Sequence, residues 1–237
     1  MKYSVIIPCY NEEKNIRSLV KRLKEAAGER EIEYIMVENG SKDATGQRLK
    51  EECAGKPGFK IVHVKQNKGY GYGIIKGMEA ANGDYIGWLH ADLQVKPEEM
   101  MRFIDFIEKH KSGDRTYFLK GIRKNRSMLD RFFTAGMTVY VTVVLQNYLY
   151  DIGAIPVLFH RNLLEEFDEA IPYDFSIETY VYDRAKRSSL FVKRFPIRMT
   201  ERKQGKSSWN KGVFSKFRQS GVIMKDVIKI RKGKAVR

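Results

Sequence analysis

His90-Ala91-Asp92-Leu93-Gln94 closes an apolar run, Tyr85-Ile86-Gly87-Trp88-Leu89, and so sets an imidazole, a carboxylate and an amide close together in the chain. Carboxylate and amide oxygens two residues apart are donors for a hard divalent cation. Asp174 and Glu178 lie four residues apart, on one face of a helix start, where a carboxylate can take a proton from an attacking hydroxyl. Asp174 also suits the cap of such a helix. Arg123, Arg131 and Arg202 carry guanidinium groups of the kind that hold phosphates by paired hydrogen bonds.

Position within the chain gives these residues a common setting. A strand pattern over Tyr3 to Ile7 ends in Pro8-Cys9-Tyr10-Asn11-Glu12-Glu13, and another over Ile32 to Val37 ends in Glu38-Asn39-Gly40-Ser41-Lys42-Asp43. With the run before His90, three strands deliver polar clusters to their carboxyl ends, the rim at which open α/β sheets bind ligands. Strands are predicted near residues 3 to 8, 32 to 38, 59 to 65, 84 to 89 and 115 to 121. Helical stretches such as Glu12 to Ala27 and Pro97 to Lys109 alternate with them, which predicts a mainly parallel sheet covered on both faces. Asn67-Lys68-Gly69-Tyr70-Gly71-Tyr72-Gly73 resembles a dinucleotide loop only superficially, because no ribose-binding acid follows at the required distance.

The chain has 237 residues, 43% of them hydrophobic, enough for a sizeable core. Cys9 and Cys53 are the only cysteines, so a reducing compartment is expected rather than a disulfide framework. The start, Met1-Lys2-Tyr3-Ser4, passes straight into a strand pattern and predicts no signal peptide. Net charge is +15, and residues 201 to 237 hold 12 Lys and Arg against Glu201 and Asp226. Nucleic acid, anionic lipid and phosphorylated substrates all suit such a tail. No groove-reading module accompanies the charge, which disfavours nucleic acid.

Two helical stretches bear on the partner. Residues 132 to 150 include no formal charge over 19 positions, long enough to consider a membrane span. The recurrence of Thr134, Thr138, Thr142 and Gln146, with Met137, Tyr140, Val141, Val144, Leu145 and Tyr148 off that stripe, predicts an amphipathic helix instead. Core, subunit contact and bilayer interface remain open for it. Farther on, Phe214, Phe217, Gly221, Met224 and Ile228 form one stripe and Lys211, Arg218, Lys225 and Lys232 another, the pattern of a helix resting on an anionic membrane surface. The division expected is a catalytic domain over residues 1–210 and a basic helical tail over 211–237.

Taken in order, Val5-Ile6-Ile7-Pro8-Cys9-Tyr10-Asn11-Glu12-Glu13, Val37-Glu38-Asn39-Gly40-Ser41-Lys42-Asp43, Asn67-Lys68-Gly69, His90-Ala91-Asp92-Leu93-Gln94 and Arg202-Lys203-Gln204-Gly205-Lys206-Ser207 resemble the family 2 glycosyltransferases of the GT-A fold. Within them the chain is most similar to the polyprenyl-phosphate sugar transferases typified by dolichol-phosphate mannose synthase. The resemblance implies a Rossmann-like α/β domain that takes a nucleotide sugar and inverts its anomeric centre. It places Pro8, Tyr10 and Glu12 at base and ribose, and Glu38 against a base N–H where the family usually has Asp. Asn67, Lys68, Gly69 and Ala91 fall in the donor site, and Asp92 with Gln94 on Mg²⁺ or Mn²⁺. His90 stands where the family has the first acid of Asp-x-Asp; neutral imidazole suits Mg²⁺ poorly, so His90 is expected on ribose or phosphate. Arg202 and Ser207 match the family's phosphate-side motif, with Ser208 in place of the usual Lys, and Arg123 and Arg131 are further candidates for the diphosphate. Glu178 corresponds to an acid near the acceptor, with Asp174 beside it. The expected acceptor is a polyprenyl phosphate, or else a hydroxyl of a lipid-linked or surface polysaccharide precursor. The expected setting is the cytoplasmic face of a membrane, held peripherally, with a homo-oligomer or membrane partner as a further possibility. A basic adaptor on a GT-A shell without turnover is the reading from another class.

Overall fold

A computed structural model describes residues 2–124, 127–200 and 213–233. In chain order the elements are β1 (Tyr3–Cys9), α1 (Ile16–Ala27), β2 (Ile32–Glu38), α2 (Thr45–Cys53), β3 (Phe59–His63), α3 (Tyr70–Ala80), β4 (Tyr85–Trp88) and α4 (Pro97–Lys109). They are followed by β5 (Tyr117–Lys124), α5 (Met128–Leu145), β6 (Val157–His160), a 3₁₀ turn (Arg161–Glu166), α6 (Ile177–Arg187), β7 (Phe191–Arg198) and α7 (Val213–Arg231). The seven strands form one sheet in the order β3-β2-β1-β4-β6-β5-β7. All neighbours pair in parallel except β6, which runs antiparallel to both β4 and β5.

β1 and β2 are apolar on both faces because both faces are covered: Val5, Ile6, Ile7, Ile35, Met36 and Val37 are fully buried. α1 presents Ile16, Leu19, Val20, Leu23 and Ala27 to the core at helical spacing. Register aligns Cys9 with Glu38 and Ile6 with Trp88, so β1, β2 and β4 end together and their loops share one rim. The predicted helix from Glu12 begins a turn later, at Ile16. Residues ahead of it are held in the loop by Glu12 N–H bonding Thr45 Oγ1 at 2.8 Å and Glu13 N–H bonding Asp43 Oδ2 at 3.3 Å.

Two strands gave no usable pattern in the sequence. β6 is a four-residue apolar run, too short to carry a period. β7 is an edge strand that mixes Lys193, Arg194 and Pro196 with Phe195 and Ile197, and proline at such a position is tolerated because the edge needs no further ladder partner.

The threonine stripe of α5 turns toward the protein rather than away from it. Thr134 donates to the carbonyl of Asp130 and Thr138 to that of Thr134, each at 2.8 Å, which hides the hydroxyls along the helix. Thr138 is buried while Met128, Phe132, Val139 and Val143 are exposed. α7 packs on α5, with Phe133 against Phe217 and Tyr140 donating to the carbonyl of Met224 at 3.0 Å. Val227 and Ile230 point inward, whereas Phe217, Met224 and Ile228 face out beside Arg218, Lys225 and Lys232. Among the described residues, no helix is long and apolar enough to cross a membrane.

Candidate active site

At the shared rim lies a cleft of about 570 Å³ lined by Pro8, Tyr10, Glu12, Asn39, Asn67, Tyr70, His90, Ala91, Asp92 and Phe175. Seven of these were expected from the sequence; Asn39, Tyr70 and Phe175 were not. Asn39 follows Glu38 at the end of β2, and its amide nitrogen donates to the carbonyl of Gly69 at 3.0 Å. Its Oδ1 is buried without a partner among the described residues, an acceptor kept there at a cost. Tyr70 sits between two glycines, a signal present in the sequence. Phe175 comes from a loop far along the chain and stacks on Tyr70 with ring centroids 4.8 Å apart, which no local pattern reveals.

That loop meets the donor-side loop through glycine. Gly69 has φ of 122°, and a Cβ there would lie 2.2 Å from the carbonyl oxygen of Tyr173, so any side chain would push the two walls apart. Asn67 completes the turn by accepting from Gly69 N–H and donating to the carbonyl of Asn39, both at 2.9 Å. On the opposite wall Asp92 Oδ1 accepts from Gln94 N–H at 3.1 Å, and Leu93 between them has φ of 58°. That left-handed residue costs about 1–2 kcal/mol and turns the chain sharply as it leaves β4. Gln94 itself is not on the cleft wall; its amide nitrogen approaches the carbonyl of Thr200 at 3.5 Å.

Behind the cleft is a dry polar cluster. Glu178 accepts from Trp88 Nε1–H at 2.7 Å and Tyr70 O–H at 3.1 Å on Oε1, and from Lys120 Nζ at 3.3 Å on Oε2. Lys120 also donates to the carbonyl of Ala154 at 2.5 Å. His90 Nε2 lies 2.9 Å from Tyr70 Oη, which links the cluster to the cleft wall. Burial of Lys120 brings its ammonium down to about 8 despite the opposing Glu178 charge, with Arg194 adding to the fall. Burial and then the Glu178 charge push the Tyr70 phenol well up.

Several expected contacts are placed differently. Glu178 is 4% exposed and lies beneath the cleft wall, not on it, because three donors, one of them the ion-paired Lys120, draw it inward. The Asp174 and Glu178 pair expected on one helix face is thus divided, with Asp174 on the second cleft and Glu178 in the core. Glu38 is equally buried, accepting from Ser41 N–H at 2.6 Å and facing His63 Nδ1 at 2.8 Å, so it holds the β2 turn and does not line the cleft. Arg123 grips Asp151 through its Nε at 2.8 Å and through Nη2, and is thereby engaged away from the cleft. Burial would raise the Asp151 carboxyl, yet Arg123 brings it below the ordinary range. Arg131 is exposed on α5 and does not line the cleft. Arg202 and Ser207 lie outside the described residues.

A second cleft adjoins the first across the segment from Tyr173 to Phe175. It is lined by Lys68, Tyr173, Asp174, Val222, Lys225, Asp226 and Lys229. Asp174 Oδ1 accepts from Ser176 N–H at 2.7 Å just ahead of α6, and its carboxyl neighbours that of Asp226. Burial and this like-charged neighbour push Asp226 up to about 6.

The family model for glycosyl transferase family 2 matches residues 4–167, and the chain belongs to that family. Together with the sheet just described, this defines a glycosyltransferase domain of the GT-A fold. Over 215 residues the chain is 27% identical to an undecaprenyl-phosphate 4-deoxy-4-formamido-L-arabinose transferase of Edwardsiella ictaluri, a match covering 87% of the chain and 62% of that protein. The transferase of the same description from Aeromonas hydrophila is 37% identical over 171 residues, covering 68% of the chain and 50% of its own length. The chain thus spans half to just under two thirds of these relatives. Among solved structures, glucosyl-3-phosphoglycerate synthase from Mycobacterium tuberculosis in complex with Mn²⁺, uridine diphosphate and glucosyl-3-phosphoglycerate superposes with a TM-score of 0.66 at 17% identity, covering 98% of the chain and 80% of that structure. That likeness is one of fold.

Proposed function

We propose that this chain transfers a sugar from a nucleotide-sugar donor to a polyprenyl phosphate at a membrane surface, assisted by a divalent cation. The observation that carries the acceptor is the enclosure of Glu178 beneath the cleft wall. Glu178 is an ion-paired core group, and Asp174, half-buried on the wall of the second cleft, already accepts from Ser176 N–H through Oδ1. A hydroxyl acceptor requires a base to take its proton, whereas a phosphate monoester arrives as an anion and needs only placement and charge neutralisation. Names of the relatives that act on undecaprenyl phosphate support the same choice.

In the donor cleft Pro8 and Tyr10 offer apolar surface suited to a base, and Glu12 lines the same cleft with a carboxylate suited to a ribose hydroxyl. The Asp92 carboxylate on the cleft wall would suit a hard divalent cation, whereas Gln94, off that wall, would have to turn from Thr200 to join it. Among the described residues no three His, Cys, Asp or Glu side chains converge to cage a metal. When bound, that ion would neutralise charge developing on the departing diphosphate. An acceptor oxygen attacks the anomeric carbon as the bond to the diphosphate breaks on the opposite side, and the electron pair leaves with the nucleotide. Lys68, Lys225 and Lys229 in the second cleft are cations suited to the acceptor phosphate. The exposed apolar residues of α5 and α7, beside Arg218, Lys225 and Lys232, suit an anionic bilayer from which a polyprenyl chain would enter.

The test is transfer from a panel of UDP-, GDP-, CDP- and dTDP-sugars to undecaprenyl phosphate in vesicles, with a sugar hydroxyl acceptor in parallel. Nucleotide release that requires the lipid phosphate is expected. Equal release with the hydroxyl acceptor, or none with any donor, would overturn the reading.

A further inference from the structure

We infer that His90 is a nitrogen ligand for the cation of this site, acting through Nδ1, with the ring held in one tautomer by the buried chain Tyr70–Glu178–Lys120. The inference rests on the metal-assisted donor reading above and goes beyond it by naming a ligand and a metal preference.

The argument begins with one proton. Glu178 takes hydrogen bonds from Trp88 Nε1 at 2.7 Å and Lys120 Nζ at 3.3 Å, and an ion pair with a fully buried lysine makes it a carboxylate, an acceptor only. The single proton of Tyr70 O–H therefore points to Glu178 Oε1, 3.1 Å away. Only lone pairs of Tyr70 Oη remain for His90 Nε2 at 2.9 Å, so Nε2 must carry the hydrogen. In the neutral ring the other nitrogen, Nδ1, then carries the lone pair. The edge-on packing of the His90 ring against Tyr70, at 5.2 Å between centroids, fixes its plane. Among the described residues Nδ1 has no hydrogen-bond partner.

His90 and Asp92 both line the cleft with one residue between them. A histidine that donates through one nitrogen to an anchored oxygen and keeps a lone pair on the other is the arrangement metal-ligating histidines adopt. One imidazole nitrogen beside a carboxylate shifts preference away from Mg²⁺, which favours oxygen throughout, toward Mn²⁺ and other transition ions. The replacement of an acid by His90 is thus a change of metal selectivity rather than a lost contact, and Tyr70 becomes a positioning residue for it.

The experiment uses the full chain labelled with ¹⁵N-histidine, titrated with MnCl₂ or MgCl₂ in the presence of UDP, GDP, CDP or dTDP. Pulsed EPR of bound Mn²⁺ should show coupling to a histidine ¹⁵N, and calorimetry should show tighter binding of Mn²⁺ than of Mg²⁺. His90→Asp should abolish the coupling and narrow the Mn²⁺ over Mg²⁺ preference by about tenfold or more. Tyr70→Phe, which keeps the ring and removes the hydroxyl, should weaken Mn²⁺ binding about 10- to 100-fold and Mg²⁺ binding less, with histidine ¹⁵N coupling retained in whatever Mn²⁺ still binds. Mn²⁺ bound by the unaltered chain without histidine coupling, or coupling that survives His90→Asp, would overturn the assignment while leaving the donor reading intact. Failure of every nucleoside diphosphate to support Mn²⁺ binding would overturn both.

Discussion

The wall of the donor cleft and the cluster behind it are built from the same kinds of side chain, yet they satisfy those side chains in opposite ways. On the wall, Asp92 and Asn67 each accept from a backbone N–H two residues on, which shapes the turns of the wall. Behind it, Glu178 gathers donors from α3, β4 and β5, each distant in the chain. The wall can be local because water or ligand completes it. The cluster is dry, so every charge must find a protein partner or destabilise the fold. Tyr70 and His90 join the two, which gives a core ion pair a means of orienting a group at the surface.

Breaking the cluster should have the largest effect. Lys120→Met leaves Glu178 buried without its cation and is expected to cost about 3–5 kcal/mol, read by chemical denaturation. Glu178→Gln should cost less, because Lys120, already brought down to about 8, can shed its proton. The double change Lys120→Met with Glu178→Gln should recover part of the loss, and strict additivity would show that the two do not interact. The same depressed lysine predicts a pH signature. Between about 8 and its unfolded value near 10.5 the unfolded chain binds the extra proton, so stability from this group rises with pH across that window. Below it, that contribution is lost. Subtracting the Lys120→Met profile from that of the unaltered chain isolates the rise, and a flat difference would refute it.

Changing the wall should spare the fold and remove function. Asp92→Ala is expected to reduce sugar transfer by about 10²–10³-fold, the effect of losing one group that stabilises transition-state charge, with a melting temperature close to that of the unaltered chain. Full activity in EDTA would contradict the proposed role of the cation.

The outer face of α7 should show a smaller effect per residue, set by charge alone. Replacing Arg218, Lys225 and Lys232 with Gln removes cations worth about 1 kcal/mol each near an anionic leaflet, so vesicle binding should fall by about two orders of magnitude at low salt and converge with the unaltered chain at high salt. Equal binding to neutral and anionic vesicles would exclude this mode.

The smallest effect concerns Asp226, whose carboxyl titrates at about 6 through burial and the Asp174 neighbour. Because the folded chain holds this proton more tightly than the unfolded one, its stabilising contribution is present below the unfolded value near 3.8 and is lost as pH rises through about 6. Asp226→Asn keeps a side chain able to bond Ser176 and Asp174. It should raise the melting temperature at pH 8 more than at pH 5, and an equal shift at both would rule out the shared proton.

What the sequence determined by itself was the rim: the strands β1, β2 and β4, the helices between them, and seven of the residues lining the cleft. These were legible because each strand end and its polar cluster are contiguous, so periodicity and turn chemistry mark them without knowledge of neighbours. Tertiary structure alone decided which partners several of the polar groups would take. Glu178 reads as a helix-face carboxylate until Lys120 and Trp88, from other strands, enclose it. Arg123 reads as a phosphate contact until Asp151 takes it, and the threonines of α5 read as a polar stripe until hydrogen bonds along the helix let Thr138 face the protein. In each case the deciding partner is remote in sequence or is the backbone itself, and the cost of burying an unpaired polar group, which selects that partner, is incurred only when the chain has folded around it.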